Sequence, residues 1–355
     1  MEYERGSGSF YNYLPSGCKL CQDGAKMVLF VTGLCHRDCF YCPVSEEKKQ
    51  KDVTFANERP VFSDDDVLCE ARSMQAKGTG ITGGEPLLKL EHVLGYIRLL
   101  KNAFGPDHHT HLYTASTPSR DVLERLHCAG LDEIRFHPDH GTWDRLAGGD
   151  LVESIEEAKR VGLDVGIEIP SFAGAQYVAD LALEHTIFLN LNELELSETN
   201  SQALQQHGFV AENDEGCAVA GSRDAALDIM DRCPGLDIHF CSSRFKDGVQ
   251  LRMRLLRTAK TIAREFDEIT PDGTLYYGVM DGDVHDITGL LEHLNVPTDL
   301  YECTRDRVEL GWWVLEDIAS EVGTRFRAWY EECYPTYGRM VVEKIPLDNA
   351  GVFNS

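Results

Sequence analysis

The stretch Val28-Leu29-Phe30-Val31-Thr32-Gly33-Leu34-Cys35-His36-Arg37-Asp38-Cys39-Phe40-Tyr41-Cys42 passes from a β-branched apolar run straight into three cysteines. The first half reads as a buried strand with Gly33 at its end. The second half places three thiols at Cx3Cx2C spacing within one loop. Such a loop can wrap three corners of a cubane iron–sulfur cluster. The fourth iron then has no protein ligand and is open to a chelating amino and carboxylate group. Two other readings stand beside this one. Zinc prefers four Cys or His ligands, commonly with Cx2C pairs, and His36, adjoining Cys35, is poorly placed to complete such a set. The cysteines could also be incidental.

Outward from this loop, short β-branched or aromatic runs alternate with longer amphipathic stretches, the pattern of repeated βα units around a parallel sheet. Strands are expected at 27–32, 79–82, 110–114, 133–137, 163–169 and 187–191, with a further one at 237–240. Helices are expected at 63–76, 87–104, 119–127, 151–161 and 175–184. Ser63 followed by Asp64, Asp65 and Asp66 is a helix start with an N-cap and acids in the first turn, and Gly130 and Gly162 sit at helix C-termini. Six βα units predict an α/β fold, a partial (βα)6 barrel, whose strand C-termini face the ligand. After Arg264 the character changes to a small α+β region, with a hairpin turning at Pro271-Asp272-Gly273 and a strand pair near 339–345. The expected division is an N-terminal segment over 1–25, a core over 26–265 and the C-terminal region over 266–355.

The 355 residues suffice for one large catalytic domain plus a smaller appendage. No apolar run is long enough to span a membrane, and the start of the chain lacks the basic and apolar regions of a signal peptide. A cytoplasmic location is expected. The 59 acidic residues outnumber the 34 basic ones, for a formal charge of −25. That field repels phosphate backbones unless a local basic patch overrides it, and it also aids solubility in a salty cytosol. Five of the twelve cysteines crowd between Cys18 and Cys42, too close together to staple distant elements. In a reducing compartment they read as metal or cluster ligands.

Cx3C-x-aromatic-C after a first strand resembles the signature of the radical S-adenosylmethionine (SAM) superfamily, with Tyr41 at the aromatic position. A second motif agrees: Thr82-Gly83-Gly84-Glu85-Pro86 follows the second expected strand, where that superfamily carries Gly-Gly-Glu-Pro. Paired glycines let backbone carbonyls approach a ligand ammonium closely, and Glu85 can add a carboxylate acceptor. The resemblance spans about residues 26–196 and is strongest to archaeal proteins related to pyruvate formate-lyase activating enzyme. It implies a [4Fe–4S] cluster on Cys35, Cys39 and Cys42, and SAM cleaved to methionine and a 5′-deoxyadenosyl radical that abstracts hydrogen. It further implies that Gly83, Gly84 and Glu85 bind the methionyl ammonium. Ser116, Arg135, His137 and Glu168, at strand ends, would contact ribose, carboxylate or adenine, each with a loop-capping alternative. Many relatives carry a small hydroxyl residue where this chain has His137.

Gly17-Cys18-Lys19-Leu20-Cys21 forms a Cx2C knuckle before the first strand, and Cys241 follows a late one. A knuckle supplies two metal ligands, so Cys18, Cys21 and Cys241 form a candidate auxiliary Fe–S or zinc site, the alternative being unligated thiols. Cys69 and Cys128, on helices, read as core residues. Arg254, Arg257, Lys260 and Arg264 share one face of an expected helix, either a cradle for an anionic substrate or a solvated face. Asn192 and Glu193 stand where the sixth strand meets the barrel mouth. The implied partners are a one-electron donor of ferredoxin or flavodoxin type and a protein, peptide or RNA substrate, with a small metabolite as the alternative. A binding protein without catalysis is the remaining possibility, and it would be favoured by loss of Glu85 or a triad cysteine, neither of which is lost.

Overall fold

The computed structural model describes residues 2–3, 7–214, 216–323 and 325–347. The chain forms two compact units, Met1–Arg72 with Ala76–Leu251, and Ser73–Gln75 with Arg252–Ser355. In the first unit seven parallel strands follow one another in chain order: β1 (Lys26–Phe30), β2 (Gly78–Thr82), β3 (His109–Thr114), β4 (Glu133–Phe136), β5 (Asp164–Ser171), β6 (Phe188–Glu193) and β7 (Ile238–Cys241). Each is hydrogen-bonded to the next. Beyond β1 the sheet continues with the short antiparallel strands Phe55–Ala56 and Arg59–Pro60, and beyond β7 with Phe10–Tyr11. Both flanks are therefore capped rather than joined, which gives an open, partial barrel. Residues before Lys26 belong to this unit: Phe10–Tyr11 extends its sheet, and the helix α1 (Ser16–Gln22) follows.

Period-two alternation sorts the strand residues. On β4, Ile134 and Phe136 fall on one face and Glu133 and Arg135 on the other, and all four are buried. The outer face packs as an ordinary α/β core. The inner face is polar, with His111, Glu133, Arg135, Asn190 and His239 nearly inaccessible. Buried polar groups on this scale call for partners, and Arg135 links Glu133 to Glu168 and, through Glu168, to Asn190. It donates to Glu133 Oε1 (2.5 Å) and Glu168 Oε2 (2.6 Å), and Asn190 donates to Glu168 Oε2 (3.0 Å). Cys69 and Cys128, expected in the core, are exposed. On their helices, Asp64–Ser73 and Arg120–Ala129, the core positions are held instead by Val67, Ala71, Leu123 and Leu126.

The second unit is a six-stranded antiparallel sheet. Its central strand Leu275–Asp281 pairs with Glu268–Ile269, Arg307–Leu310 and Arg327–Cys333, and the last of these with Val341–Pro346. The helix Arg252–Ile262 belongs to this unit, since Ala259 packs in one cluster with Phe266, Leu275 and Tyr277. The division therefore falls fourteen residues before the expected 265, at Leu251. Two of the four residues of the basic stripe are already occupied by protein. Arg264 bonds Asp267 (2.8 Å) and Glu302 (3.0 Å) and pairs with Glu309, while Arg257 donates to the Met74 and Gln75 carbonyls. These guanidiniums complete local structure rather than cradle an anionic substrate.

Candidate active site

The loop that leaves β1 carries the three thiols, and neighbouring segments hold it on all sides. Gly33 exchanges backbone bonds with Lys51 (2.8 Å) and Gln50 (2.9 Å), which folds residues 45–52 back beneath it. Gln50 Nε2 donates to the Cys35 carbonyl (3.0 Å). Arg37, inside the loop, donates to Asp139 Oδ2 (2.8 Å) and to the Ala115 carbonyl (3.1 Å), tying the loop to the ends of β3 and β4. Tyr41 is gripped twice, its hydroxyl by His137 Nε2 (3.0 Å) and its carbonyl by Asn200 Nδ2 (3.0 Å). His137 Nδ1 meets the Glu168 carbonyl at 2.7 Å, which assigns its proton to Nδ1 and makes Nε2 the acceptor for the tyrosine. Burial lowers the pKa of His137, so the ring is neutral near pH 7. Phe40 stacks on His207 with ring centroids 4.2 Å apart.

Cys35, Cys39 and Cys42 all line one cavity of about 470 Å³, together with Gly83, Gly84, Tyr41, Tyr113, His137, Glu168 and Asn192. The glycine pair lies between β2 and the thiol loop. A Cβ on Gly84 would stand 2.5 Å from the Leu34 carbonyl oxygen and 2.9 Å from Cys35 Cβ, so only glycine permits this approach. Glu85 differs from the sequence reading. It is fully buried, and its carboxylate accepts from Leu87 N (3.0 Å), Thr114 Oγ1 (2.8 Å) and Ala115 N (2.7 Å). Those donors clamp the turn to the end of β3, and what this motif offers the cavity is the Gly83 and Gly84 backbone.

The strand-end residues divide. His137, Glu168 and Asn192 reach the cavity. Glu168 lies three residues before the end of β5, and Asn192 lies within β6, donating to Glu168 Oε1 (2.9 Å). Burial, the largest influence on Glu168, would raise its pKa. Arg135, Asn192 and Asn190 overcome that and bring it down to about 2, so the carboxylate is charged throughout the neutral range. Arg135 itself is not among the residues that line the cavity and is joined to it by its bond to Glu168. Ser116 lines a neighbouring hollow of about 270 Å³ instead.

Cys18, Cys21 and Cys241 lie outside the lining of the thiol cavity. Cys18 is buried and accepts from Asn190 Nδ2 (3.4 Å), and Cys241, the last residue of β7, accepts from Gln250 Nε2 (3.5 Å). Burial pushes the Cys241 thiol up, and Cys21 and Cys18 add to the shift, so the three share one electrostatic neighbourhood. Among the described residues no three His, Cys, Asp or Glu side chains converge on a single metal-ion position.

The family model of the radical SAM superfamily matches residues 29–177, and a domain of unknown function (DUF8061) matches residues 273–347. Over 365 aligned residues the chain is 37% identical to a protein of Methanocaldococcus jannaschii described as a candidate glycyl-radical enzyme activating enzyme. The alignment covers 98% of this chain and 96% of the relative. The chain belongs to the radical SAM superfamily. Among solved structures, methylornithine synthase aligns at 10% identity with a TM-score of 0.40, over 61% of this chain and 67% of that one. As a radical SAM enzyme, the protein works with a [4Fe–4S] cluster and SAM. Among the described residues no helix is long and apolar enough to cross a membrane.

Sequence reasoning missed several residues of this radical SAM site. Arg37, Asp139 and Asn200 bind the thiol loop, and Glu195 and Lys246 complete the cavity wall. Arg37 could have been suspected from its place between two cysteines. The others carry no spacing signal, because the fold alone brings them within reach.

Proposed function

We propose that Cys35, Cys39 and Cys42 hold the [4Fe–4S] cluster of this radical SAM enzyme and that SAM binds beside it, for hydrogen abstraction from a protein or peptide substrate. When bound, the cluster and SAM supply one-electron cleavage to methionine and a 5′-deoxyadenosyl radical. The observation that carries the assignment is the shared cavity: three thiols on one wall, the approachable Gly83–Gly84 backbone beside them, and Glu168 and Asn192 beyond. The Gly83 and Gly84 carbonyls would accept the methionyl ammonium, with Glu85 holding their turn. Glu168, kept ionised by Arg135, and Asn192 would meet ribose hydroxyls, while Tyr41 and His137 keep the loop in place. Two observations favour protein over RNA as substrate: the acidic charge of the chain and the description of its archaeal relative.

The reading is tested by incubating anaerobically reconstituted protein with SAM and dithionite. Equimolar 5′-deoxyadenosine and methionine are expected, and a fully loaded cluster yielding neither would leave only a binding role. An anaerobic pull-down scored for protein bands against nucleic-acid absorbance separates the substrate classes.

A second iron–sulfur or zinc site on Cys18, Cys21 and Cys241 is part of the same proposal, supported by the Cx2C spacing of the first two thiols. Cys18→Ala is expected to lower the metal content per chain. Unchanged content, measured by elemental analysis, would remove the second site.

A further inference from the structure

At the opposite end of the strand order from β1 and β2, the cavity is closed by two segments that follow β6 and β7. The first is Leu194-Glu195, directly after Glu193 at the end of β6. The second begins at Lys246, the first residue of a six-residue π-helical turn, Lys246–Leu251. π-turns are rare, are found mostly at functional sites, and re-aim the side chains they carry. Glu193 supports this end from behind, its Oε2 accepting from Ser243 N (2.8 Å) and Ser243 Oγ (2.7 Å).

Three cationic side chains line the cavity: Arg37, Lys49 and Lys246. Arg37 is engaged in holding the thiol loop. Lys246 Nζ lies 2.5 Å from Glu195 Oε1, and the two side chains keep 32% and 29% of their surface exposed. Water therefore reaches both partners, and an incoming carboxylate can exchange for Glu195 on the ammonium, with Glu195 turning to solvent or to an N–H of the same ligand. Asp247, next along the chain, and Glu193 make the surroundings acidic. A group with two negative charges would be repelled beside those acids, whereas a single carboxylate matches the Lys246 ammonium.

We propose that Lys246 is the cavity's receptor for a carboxylate of the substrate, with Glu195 holding its place until the substrate arrives. The proposal rests on the cavity being the site of SAM cleavage and adds the chemical class of what is bound beside it.

The test uses two small probes, N-acetylglycine deuterated at Cα and its primary amide, each offered with SAM and dithionite to the reconstituted full chain. The readout is the fraction of 5′-deoxyadenosine that carries deuterium, formed when a C–D bond breaks and its deuterium transfers to the 5′ carbon. Below saturation the wild type should favour the acid over the amide by about tenfold, the scale of one charge-assisted bond. Lys246→Gln should lose that preference. Glu195→Gln, which releases Lys246 from its internal partner, should increase labelling from the acid. Opposite effects of the two variants are the signature, because simple loss of a structural ion pair would move both the same way. Equal labelling by both probes, absence of label while 5′-deoxyadenosine still forms, parallel losses in the variants, or a raised SAM requirement in Lys246→Gln would each overturn the proposal. Failure of the wild type to make any 5′-deoxyadenosine would instead overturn the reading beneath it.

Discussion

Cys39→Ala is expected to reduce 5′-deoxyadenosine formation to the level of a protein-free control and to remove most of the iron bound by the thiol loop. Cys39 is the middle thiol of the three, and apart from a contact of its sulfur with Tyr41 the loop around it is held by bonds from other residues. Arg37 anchors to Asp139 and Ala115, Gln50 to Cys35, and Asn200 and His137 to Tyr41. The substitution should therefore leave the barrel folded, which circular dichroism can verify, while deleting one of three cluster ligands. A two-thiol loop gives a cluster with two unsupported iron corners in place of one, and such a cluster lacks both the retention and the single open position that SAM chelation requires. Full activity in a folded Cys39→Ala protein would mean that the metal sits elsewhere.

Gly84→Ala should be almost as damaging, by a different route. The added methyl would meet the Leu34 oxygen at 2.5 Å and the Gly33 oxygen at 2.7 Å, both backbone atoms that no rotamer change can move. Either the Gly83–Gly84 turn or the start of the thiol loop must shift. Overpacking of this kind costs about 1–3 kcal/mol, which lowers the melting temperature by about 2–12 °C for a unit of this size. The functional loss should be larger than the stability loss, because the displaced atoms are the ones proposed to face the methionyl ammonium and the cluster. A misplacement of about 1 Å can cost on the order of a hundredfold in rate. Thermal denaturation and the initial rate of 5′-deoxyadenosine formation, measured on the same preparation, separate the two effects. A variant with a lowered melting point and an unchanged rate would show that the glycine pair serves packing alone.

The parallel strands and the thiol loop were legible because their signals are local. Apolar β-branched runs mark strands whose two faces are buried, and Cx3Cx2C is contiguous. The strand ends were less so. Glu168 and Asn192 lie inside β5 and β6, since polar residues that face the interior of an open barrel interrupt an apolar run without ending the strand. Glu85 shows a second limit. Its place in the motif marks it as important, but whether its carboxylate meets a ligand or Thr114 and Ala115 depends on β3, nearly thirty residues later. Cys69 and Cys128 failed as core residues because a cysteine alone does not specify which helix face is buried. Lys246 and Glu195 had no local signature. Their meeting depends on β6 and β7 being neighbours.

If three thiols present a cluster with one open iron to SAM, electron paramagnetic resonance of the anaerobically reduced protein should register SAM itself. Recorded before and after SAM is added, the reduced [4Fe–4S] signal is expected to shift its g-values, and it should be lost in Cys39→Ala. A signal indifferent to SAM, or a thiol loop filled by spin-silent zinc, would contradict that arrangement.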